Sequence, residues 1–244
     1  MNMKETFENS HGEELPLPTY RVIGHIYTDF PTKFGIPRQS GLASSLTGVI
    51  RFTKAYQNPD ALRGIEDFSH LWLLWLFSEA VREGDGDHFT PTVRPPRLGG
   101  NAKMGVFATR SPFRPNPIGL SSVKLLGVQT EESGESVLIV SGADLMDGTP
   151  ILDIKPYLPF TDAHPDAVGG FADEKFGYRL KVEFPKELLE KLPTDKHEAI
   201  LEILAEDPRP AYQNDPARVY GFPFAGHEIC FRVENDTLTV VWVE

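Results

Sequence analysis

The segment from Gly105 to Ser122 constrains the fold of this chain more than any other stretch. It reads GVFATRSPFRPNPIGLSS, with prolines at positions 112, 115 and 117. Because each proline biases the residue before it towards extended geometry, the segment favours extended structure over a helix. It opens like a strand at Gly105, and an apolar run resumes at Ile118. We therefore expect a stiff, extended loop between two strands, since a preset backbone lowers the entropic cost of holding arginine side chains against a ligand.

The charge around this loop is opposite in sign to the charge of the whole chain. The formal net charge is −11, yet no Asp or Glu occurs between His88 and Thr130. The same stretch carries Arg94, Arg97, Lys103, Arg110, Arg114 and Lys124. A basic surface on an acidic protein favours an anionic partner for that surface, although the arginines of a Pro-rich loop can also be merely solvated. The overall charge argues against non-specific binding to nucleic acid.

Short apolar segments separated by turns dominate the chain up to Asp162. Strands are predicted at Tyr20–Tyr27, Leu46–Phe52, Phe68–Phe77, Ser122–Val128 and Ser136–Ser141. The third of these, FSHLWLLWLF, is apolar at both alternating sets of positions, so we expect it to be buried on both faces. Short strands with little helix predict a β-barrel or a β-sandwich, and the strand–GxGxxG–helix unit of a Rossmann fold does not occur.

The composition changes after Asp162. The residues AHPDAVGGFAD, from position 163 to 173, are typical of a linker. Helical spacing follows between residues 185 and 206, broken at Pro193, and the chain ends in a predicted hairpin about Asn235–Asp236. We therefore expect a flexible tail over residues 1–18, a β domain over residues 19–162, and a small α+β region over residues 163–244.

Cysteine content and apolar run length narrow the expected location of the chain. The single cysteine, Cys230, excludes an intrachain disulfide and a multi-cysteine metal site. The first residues lack the apolar core of a secretory signal, and the longest apolar run, residues 71–77, is far too short to span a bilayer. These features predict a cytoplasmic protein without a metal centre.

Several long motifs resemble those of one enzyme family. They are RGIEDFSHLWLL, TVRPPRLGGNAKMGVFATR, ATRSPFRPNPIGLS, DGTPILDIKPYLPF and DPRPAY. Together they resemble the TrmO family (YaeB or TsaA-like), whose members look like S-adenosylmethionine-dependent tRNA methyltransferases acting on N6 of threonylcarbamoyladenosine, just 3′ of the anticodon. The resemblance implies a single-sheet β-barrel, S-adenosylmethionine as the cofactor, a homodimer, and tRNA as the partner.

The same resemblance implies which residues contact the cofactor. The match places these contacts in the IPRQ loop, after the aromatic strand, in the Pro-rich segment and before DGTP, at Pro37, Arg38, Gln39, Ser78, Glu79, Arg110, Leu120, Ala143, Asp144 and Leu145. Cationic groups suit the carboxylate of such a cofactor, and acceptors suit its cationic end.

Methylation of N6 also requires removal of a proton, because the lone pair of a urea-type nitrogen is delocalised. A general base is therefore expected, and the candidates are Asp147, Asp153, Lys155 and Tyr157, with Asn116 orienting the substrate. The sequence alone does not choose among them. Asp147 can instead be a turn residue, and Asp153 and Lys155 can instead be a surface ion pair.

The threonine moiety of the modified adenosine carries a carboxylate, which calls for a cationic clamp. Candidates are Arg97, Arg114, Arg209 and Lys155. Two other functions remain open at this point: a methyltransferase of the same fold acting on another substrate, and a non-catalytic barrel that binds RNA or an adenosine-containing ligand.

Overall fold

A closed six-stranded antiparallel barrel forms the N-terminal part of the protein. The computed structural model describes residues 6–8, 10–16, 19–80, 90–95, 98, 102–175, 177–210 and 215–244. The strands are β1 (Thr6–Glu8), β2 (Glu14–Pro16), β3 (Gly24–Tyr27), β4 (Thr47–Phe52), β5 (His70–Leu76), β6 (Thr92–Val93), β7 (Met104–Gly105), β8 (Ile118–Thr130), β9 (Ser136–Ser141), β10 (Thr149–Pro156), β11 (Lys181–Glu183), β12 (Tyr220–Phe224), β13 (His227–Glu234) and β14 (Thr237–Val243). The helices are α1 (Pro159–Asp162), α2 (Lys186–Leu189) and α3 (His197–Ala205).

The barrel runs in the order β10-β3-β4-β9-β8-β5, and β5 closes it by pairing with β10. Its interior is filled by the alternate residues of each strand, as the period of a β-strand requires. Ile26, Ile50, Leu73, Leu138 and Ile151 are all completely buried there. The expected barrel is therefore confirmed, and the alternative of a sandwich is excluded.

Strand β5 differs from the expectation that both of its faces are buried. Leu71, Leu73 and Trp75 point into the barrel, whereas Trp72 and Leu74 lie on the outside and are only half-buried. On this outer face Trp72 contacts Tyr157 and Asp162. The apolar run therefore produces one buried face and one apolar face on the exterior.

The Pro-rich segment follows the predicted course with one local difference. Strand β7 ends at Gly105, and Val106–Ala108 form a single 3₁₀ turn, so the strand predicted to open at Gly105 is wrong. From Thr109 to Pro117 the chain forms neither helix nor strand, and β8 then begins at Ile118. Strand β8 is longer at both ends than the predicted segment Ser122–Val128.

The C-terminal part is a four-stranded sheet in the order β11-β14-β13-β12, with α3 packed against it. Helices form on both sides of Pro193, as its position predicts, and β13 and β14 form the predicted hairpin. The core beneath this sheet also includes Phe30, Ala43 and Leu46, which come from the connection between two barrel strands. The boundary expected at residue 162 remains a prediction.

The described part of the predicted tail is a small hairpin, because β1 pairs with β2. Among the residues that the structure describes, none of the helices has the length and apolar character needed to cross a membrane.

Candidate active site

Three connections open at the same end of the barrel. Residues 28–46 join β3 to β4, residues 77–117 join β5 to β8, and residues 142–148 join β9 to β10. Antiparallel pairing places these connections together, and we call this end the site end. Nine of the ten predicted cofactor contacts lie in these connections, and the tenth, Leu120, lies on β8 close to its start.

A chain of polar side chains leads from the barrel interior to the site end. The indole Nε1 of Trp75 donates a hydrogen bond to Ser121 Oγ at 3.0 Å, and Ser121 Oγ donates to Asp144 Oδ1 at 2.5 Å. Trp75 and Ser121 are both buried. Each polar atom of the chain therefore has a partner, which fixes the direction of the Asp144 carboxylate.

The surroundings of Asp144 act on its charge in opposite directions. Burial raises the pKa of the Asp144 carboxyl above its usual range, because it disfavours the charged form. The Ser121 hydroxyl, the Ser40 backbone amide and the positive charge of Arg110 oppose this rise in pKa. A half-buried carboxylate with an arginine nearby is a typical feature of a ligand site.

The 28–46 connection brings further polar groups to Arg110. The guanidinium of Arg110 donates a hydrogen bond to Gln39 Oε1. The backbone amide of Ser122 donates to Ser40 Oγ at 3.2 Å, and Gly41 N donates to Gly142 O at 2.8 Å. The predicted contacts Gln39, Arg110 and Asp144 are thus brought together by three separate connections.

The neighbouring predicted contacts are held differently. Pro37 is buried, and the exposed Arg38 donates to the carbonyl oxygens of Asp207 at 3.4 Å and Arg209 at 3.3 Å. Ala143 and Leu145 belong to the core of the barrel. Only backbone groups at positions 143 and 145 are therefore available to a ligand.

Ser78 and Glu79 form an exposed 3₁₀ turn immediately after β5. Phe77 N donates to Pro117 O at 2.8 Å, so this turn lies beside Asn116, which is also exposed. Leu120 points to the outside of the barrel with half of its surface exposed. These residues extend the site end around the outer edge of β5 and β8.

Two further candidates at the site end have structural partners. Asp147 Oδ1 accepts a hydrogen bond from Thr28 N at 2.9 Å, and Asp147 N donates to Phe30 O at 2.8 Å. Arg114 is half-buried, and its guanidinium donates to Thr109 O at 3.1 Å. The Asp147 contacts match the turn role that the sequence left open for this residue.

Of the other three catalytic candidates, Asp153 and Lys155 lie on the outer face of β10, and Tyr157 directly follows this strand. Asp153 Oδ2 and Lys155 Nζ form an ion pair at 2.8 Å, and their side chains are 45% and 62% exposed. The ring of Tyr157 lies 5.5 Å from that of Trp72, whose Nε1 donates to Asp162 Oδ2 at 2.9 Å. Hydrogen bonds from Leu158 N and from Trp72 lower the pKa of Asp162, which keeps an acceptor in place for the indole.

Strand register relates this outer group to the site end. Asp153 pairs with Leu74, and Leu74 pairs with Leu120, so the three residues form one row across the barrel exterior. Because neighbouring strands are about 4.8 Å apart, Asp153 lies roughly 10 Å from Leu120. Lys155 lies in the next row, opposite Trp72, further from the site end. One chain therefore brings the candidates together as two groups.

The remaining candidate arginines are placed as follows. Arg209 forms a fork to the carboxylate of Asp207, with Nε–Oδ1 and Nη2–Oδ2 distances of 2.8 Å, and its side chain is 9% exposed. Arg97 lies outside the described residues. The role of either arginine as a substrate clamp remains a prediction.

Sequence reasoning missed Trp75, Ser121 and Ser40, which support Asp144. The alternation of inward and outward residues along β8 could have indicated Ser121. A serine at an inward position is buried and needs a hydrogen-bond partner. Gly119 lies on the same inward face, and a Cβ built there would lie 2.2 Å from the Trp75 ring. Across the described ranges, no cluster of His, Cys, Asp and Glu is arranged to hold a metal ion.

Comparisons with known proteins agree with this arrangement of two parts. The family model described as the tRNA-methyltransferase O N-terminal domain matches residues 25–163. The family model described as the TrmO C-terminal domain matches residues 177–244.

Individual relatives are similar over most of their length. The tRNA (adenine(37)-N6)-methyltransferase of Escherichia coli K12 is 46% identical over 201 residues, which are 80% of this chain and 83% of the relative. A putative S-adenosylmethionine-dependent methyltransferase of Pseudomonas aeruginosa PAO1 is 45% identical over 207 residues, covering 82% of this chain and 85% of the relative. A crystal structure of TrmO from P. aeruginosa matches with a TM-score of 0.74 and 36% identity, over 95% of this chain and 98% of that one.

Proposed function

The chain belongs to the tRNA-methyltransferase O family, and on that premise we propose that it methylates N6 of threonylcarbamoyladenosine, 3′ of the anticodon in tRNA, with S-adenosylmethionine as the methyl donor. It is a tRNA adenine N6-methyltransferase. The observation that carries the proposal is the convergence of Gln39, Arg110 and Asp144 at the site end.

The donor and acceptor set at the site end fits S-adenosylmethionine. Arg110 offers a planar guanidinium for a carboxylate, and Asp144 offers an acceptor for a cationic group. When bound, S-adenosylmethionine supplies a methyl group that its sulfonium already makes reactive. The residues of this chain therefore act mainly by binding and orientation, with Gln39 fixing Arg110 and with Ser121 and Trp75 fixing Asp144.

We assign the removal of the N6 proton to Asp153. Both carboxylates have partners within one chain: Asp147 accepts from the Thr28 amide, and Asp153 accepts from Ile154 N at 2.9 Å and pairs with Lys155. We favour Asp153 because a partly exposed ion pair on the barrel exterior is held only weakly. A carboxylate within hydrogen-bond reach of the nitrogen accepts the proton as the methyl group is transferred. In this proposal Lys155 and Tyr157 contact the modified base together with Asp153, and Asn116, which is exposed at the edge of the site end, orients the base.

Basic and aromatic side chains beside the site end support an RNA substrate. Phe113 and Phe107 are 57% and 73% exposed, and they lie in the same segment as Arg110 and Arg114. Exposed rings stack on unpaired bases such as those of an anticodon loop, and arginines bind phosphates or carboxylates. Confined to one surface of a protein of charge −11, these groups favour one docking orientation over many.

We propose that a homodimer joins the two groups of candidate residues. Within one chain Asp153, Lys155 and Tyr157 lie away from the site end, on an outer face that also presents Leu120 and Leu74. A second copy that covers this apolar face would place one chain's outer group next to the other's site end. Sedimentation equilibrium should give twice the mass of one chain, and a monomer at micromolar concentration would contradict the proposal.

The proposed substrate also favours a cytoplasmic location for the reaction. Transfer RNA is modified in the cytoplasm of bacteria, and a half-buried free thiol at Cys230 is compatible with that reducing environment. We therefore place the enzyme in the cytoplasm.

The substrate part of the proposal is tested by comparing two tRNAs with one variant. If Arg114 clamps the threonine carboxylate, Arg114→Ala should weaken binding of tRNA carrying threonylcarbamoyladenosine by about tenfold or more, and leave binding of unmodified tRNA unchanged. If Arg114 binds a phosphate, both affinities should fall together. Wild-type turnover on the modified tRNA would exclude Arg114 from substrate binding altogether.

A further inference from the structure

We propose that the C-terminal part of the chain positions the 28–46 connection, so that residues outside the barrel determine how Arg38 and Gln39 are presented to the cofactor. Asp29, Lys196 and Glu202 are the positioning residues. The effect on cofactor affinity rests on the function proposed above, whereas the positioning itself does not.

The apolar residues of the 28–46 connection are buried in the core of the C-terminal part. Phe30, Ala43 and Leu46 are all buried among residues of α3 and the β11–β14 sheet, and Ile36 packs against the same cluster. The Phe30 ring centroid lies 5.4 Å from that of Phe224. Without the C-terminal part, the connection would expose these apolar side chains to water. Its conformation therefore depends on the core of the C-terminal part.

Close backbone packing occurs directly before the predicted cofactor contacts. Gly35 has a φ of +83°, and a Cβ built on it would lie 2.2 Å from the ring of Phe222. Both the left-handed backbone and the lack of space require glycine. The ring of Phe222 in β12 therefore packs directly against Gly35, two residues before Pro37.

Polar contacts fix both ends of the 28–46 connection. At its start, Lys196 Nζ lies 2.7 Å from Asp29 Oδ2, both side chains are only 19% exposed, and Ala225 N donates to Asp29 O at 3.0 Å. At its end, Glu202 accepts hydrogen bonds from Ser44 Oγ at 3.1 Å and from Ser45 N at 2.8 Å. At the start of the connection, low exposure strengthens the ion pair relative to a surface pair, and at its end both contacts are hydrogen bonds to a charged acceptor.

The predicted cofactor residue Arg38 is itself held by the C-terminal part. Its guanidinium donates to the carbonyl oxygens of Asp207 and Arg209. The Asp207–Arg209 fork in turn fixes the backbone that bears these carbonyls. This gives Arg209 a role in positioning that does not require contact with substrate.

The other side of the 28–46 connection contacts the site end. Gln39 accepts from Arg110, Ser40 Oγ accepts from Ser122 N, and Gly41 N donates to Gly142 O. One face of the connection is therefore fixed by the C-terminal part while the other carries ligand groups. A displacement at Asp29 or at Ser44 would move the partners of Arg110.

The test compares variants of the full chain by amide hydrogen exchange and by calorimetry with S-adenosylmethionine. Lys196→Met removes the ion pair and keeps the apolar stem, and Glu202→Ala releases the other end. We expect faster exchange confined to residues 28–46, and about a tenfold weaker affinity for S-adenosylmethionine. Turnover at saturating S-adenosylmethionine should be largely retained, and Lys196→Arg should restore both properties.

The matched control is Lys191→Met, which removes a lysine whose Nζ donates to Val243 O at 2.8 Å within the same part of the chain. It should change neither exchange in residues 28–46 nor affinity. Unchanged exchange in both test variants would overturn the inference, and so would faster exchange with unchanged affinity in an enzyme that binds S-adenosylmethionine. If the wild type does not bind S-adenosylmethionine, the proposed function fails, and the exchange pattern still decides the positioning. Glu202→Ala keeps the test available if Lys196→Met does not fold.

Discussion

At the scale of single residues, Asp144 is an acid at the site end whose burial raises the pKa of its carboxyl. The carboxyl is partly buried at the site end, and the hydrogen bond that contributes most to lowering its pKa comes from the Ser121 hydroxyl. An asparagine would satisfy the same donor without the cost of burying a charge. The function proposed above gives the acid a role as the acceptor for a cationic group of the cofactor.

The pH dependence of stability tests this interpretation of Asp144. Its pKa is raised in the folded state, so its contribution to the free energy of unfolding is fully present below the unfolded pKa and is lost as the pH rises through the folded pKa. Asp144→Asn should therefore stabilise the protein more at about pH 7.5 than at about pH 4.5, relative to wild type. Thermal unfolding at the two pH values measures this, and an equal difference at both would contradict it. The same variant should bind S-adenosylmethionine about tenfold or more weakly.

Arg110 provides the complementary prediction. If its guanidinium pairs with the carboxylate of S-adenosylmethionine, Arg110→Ala should cost roughly 2–4 kcal/mol of binding free energy by calorimetry. Arg63→Ala is the control, because Arg63 is an exposed arginine paired with Asp60 in the connection between β4 and β5. Unchanged affinity in the Arg110 variant would exclude this role.

At the scale of elements, the pairing of β5 with β8 makes the room for the Trp75–Ser121–Asp144 chain. Gly119 pairs with Trp75, and a Cβ at position 119 would lie 2.2 Å from the indole. Gly119→Ala should displace the ring and lower the free energy of unfolding by about 1–3 kcal/mol in urea titrations. Gly105→Ala, where nothing lies within 4 Å of the added Cβ, should change it much less. Equal effects of the two substitutions would contradict this account of the packing.

The elements also show how much the sequence could predict. The strands β3, β4, β5, β8 and β9, the break at Pro193 and the terminal hairpin follow from local pattern and are confirmed, whereas the strand predicted at Gly105 is wrong. The outer face of β5 was not predictable in this way, because an apolar run looks the same whether or not a second layer covers it. The 3₁₀ turn at Val106–Ala108 follows from tertiary context that a strand-like sequence does not contain.

The candidate site was also predictable only in part, because sequence motifs identify residues but not their tertiary neighbours. Motifs indicate which residues are present, and Gln39, Arg110 and Asp144 do meet at one end of the barrel. Motifs do not give register, which places Asp153 in a row with Leu74 and Leu120 rather than beside Asp144. Nor do they reveal Ser121 and Trp75, whose importance follows from their inward direction.

At the scale of the whole molecule, two cores share one connection. The barrel supplies Arg110 and Asp144, and the second core holds the 28–46 connection that brings Gln39 to them. One family model ends at residue 163 and the other begins at residue 177. Phe30, Ala43 and Leu46 belong to the first stretch, yet they are buried in the core of the C-terminal part. Cofactor binding and folding of the C-terminal part should therefore be coupled.

The most direct test of the central claim is mass spectrometry of tRNA nucleosides after incubation of the purified protein with S-adenosylmethionine. The account predicts one added methyl group on threonylcarbamoyladenosine and none on unmodified adenosine at the same position. The Asp153→Asn variant should abolish most of this product while still binding S-adenosylmethionine. Absence of the methylated nucleoside, in a preparation that binds both S-adenosylmethionine and the modified tRNA, would contradict the account.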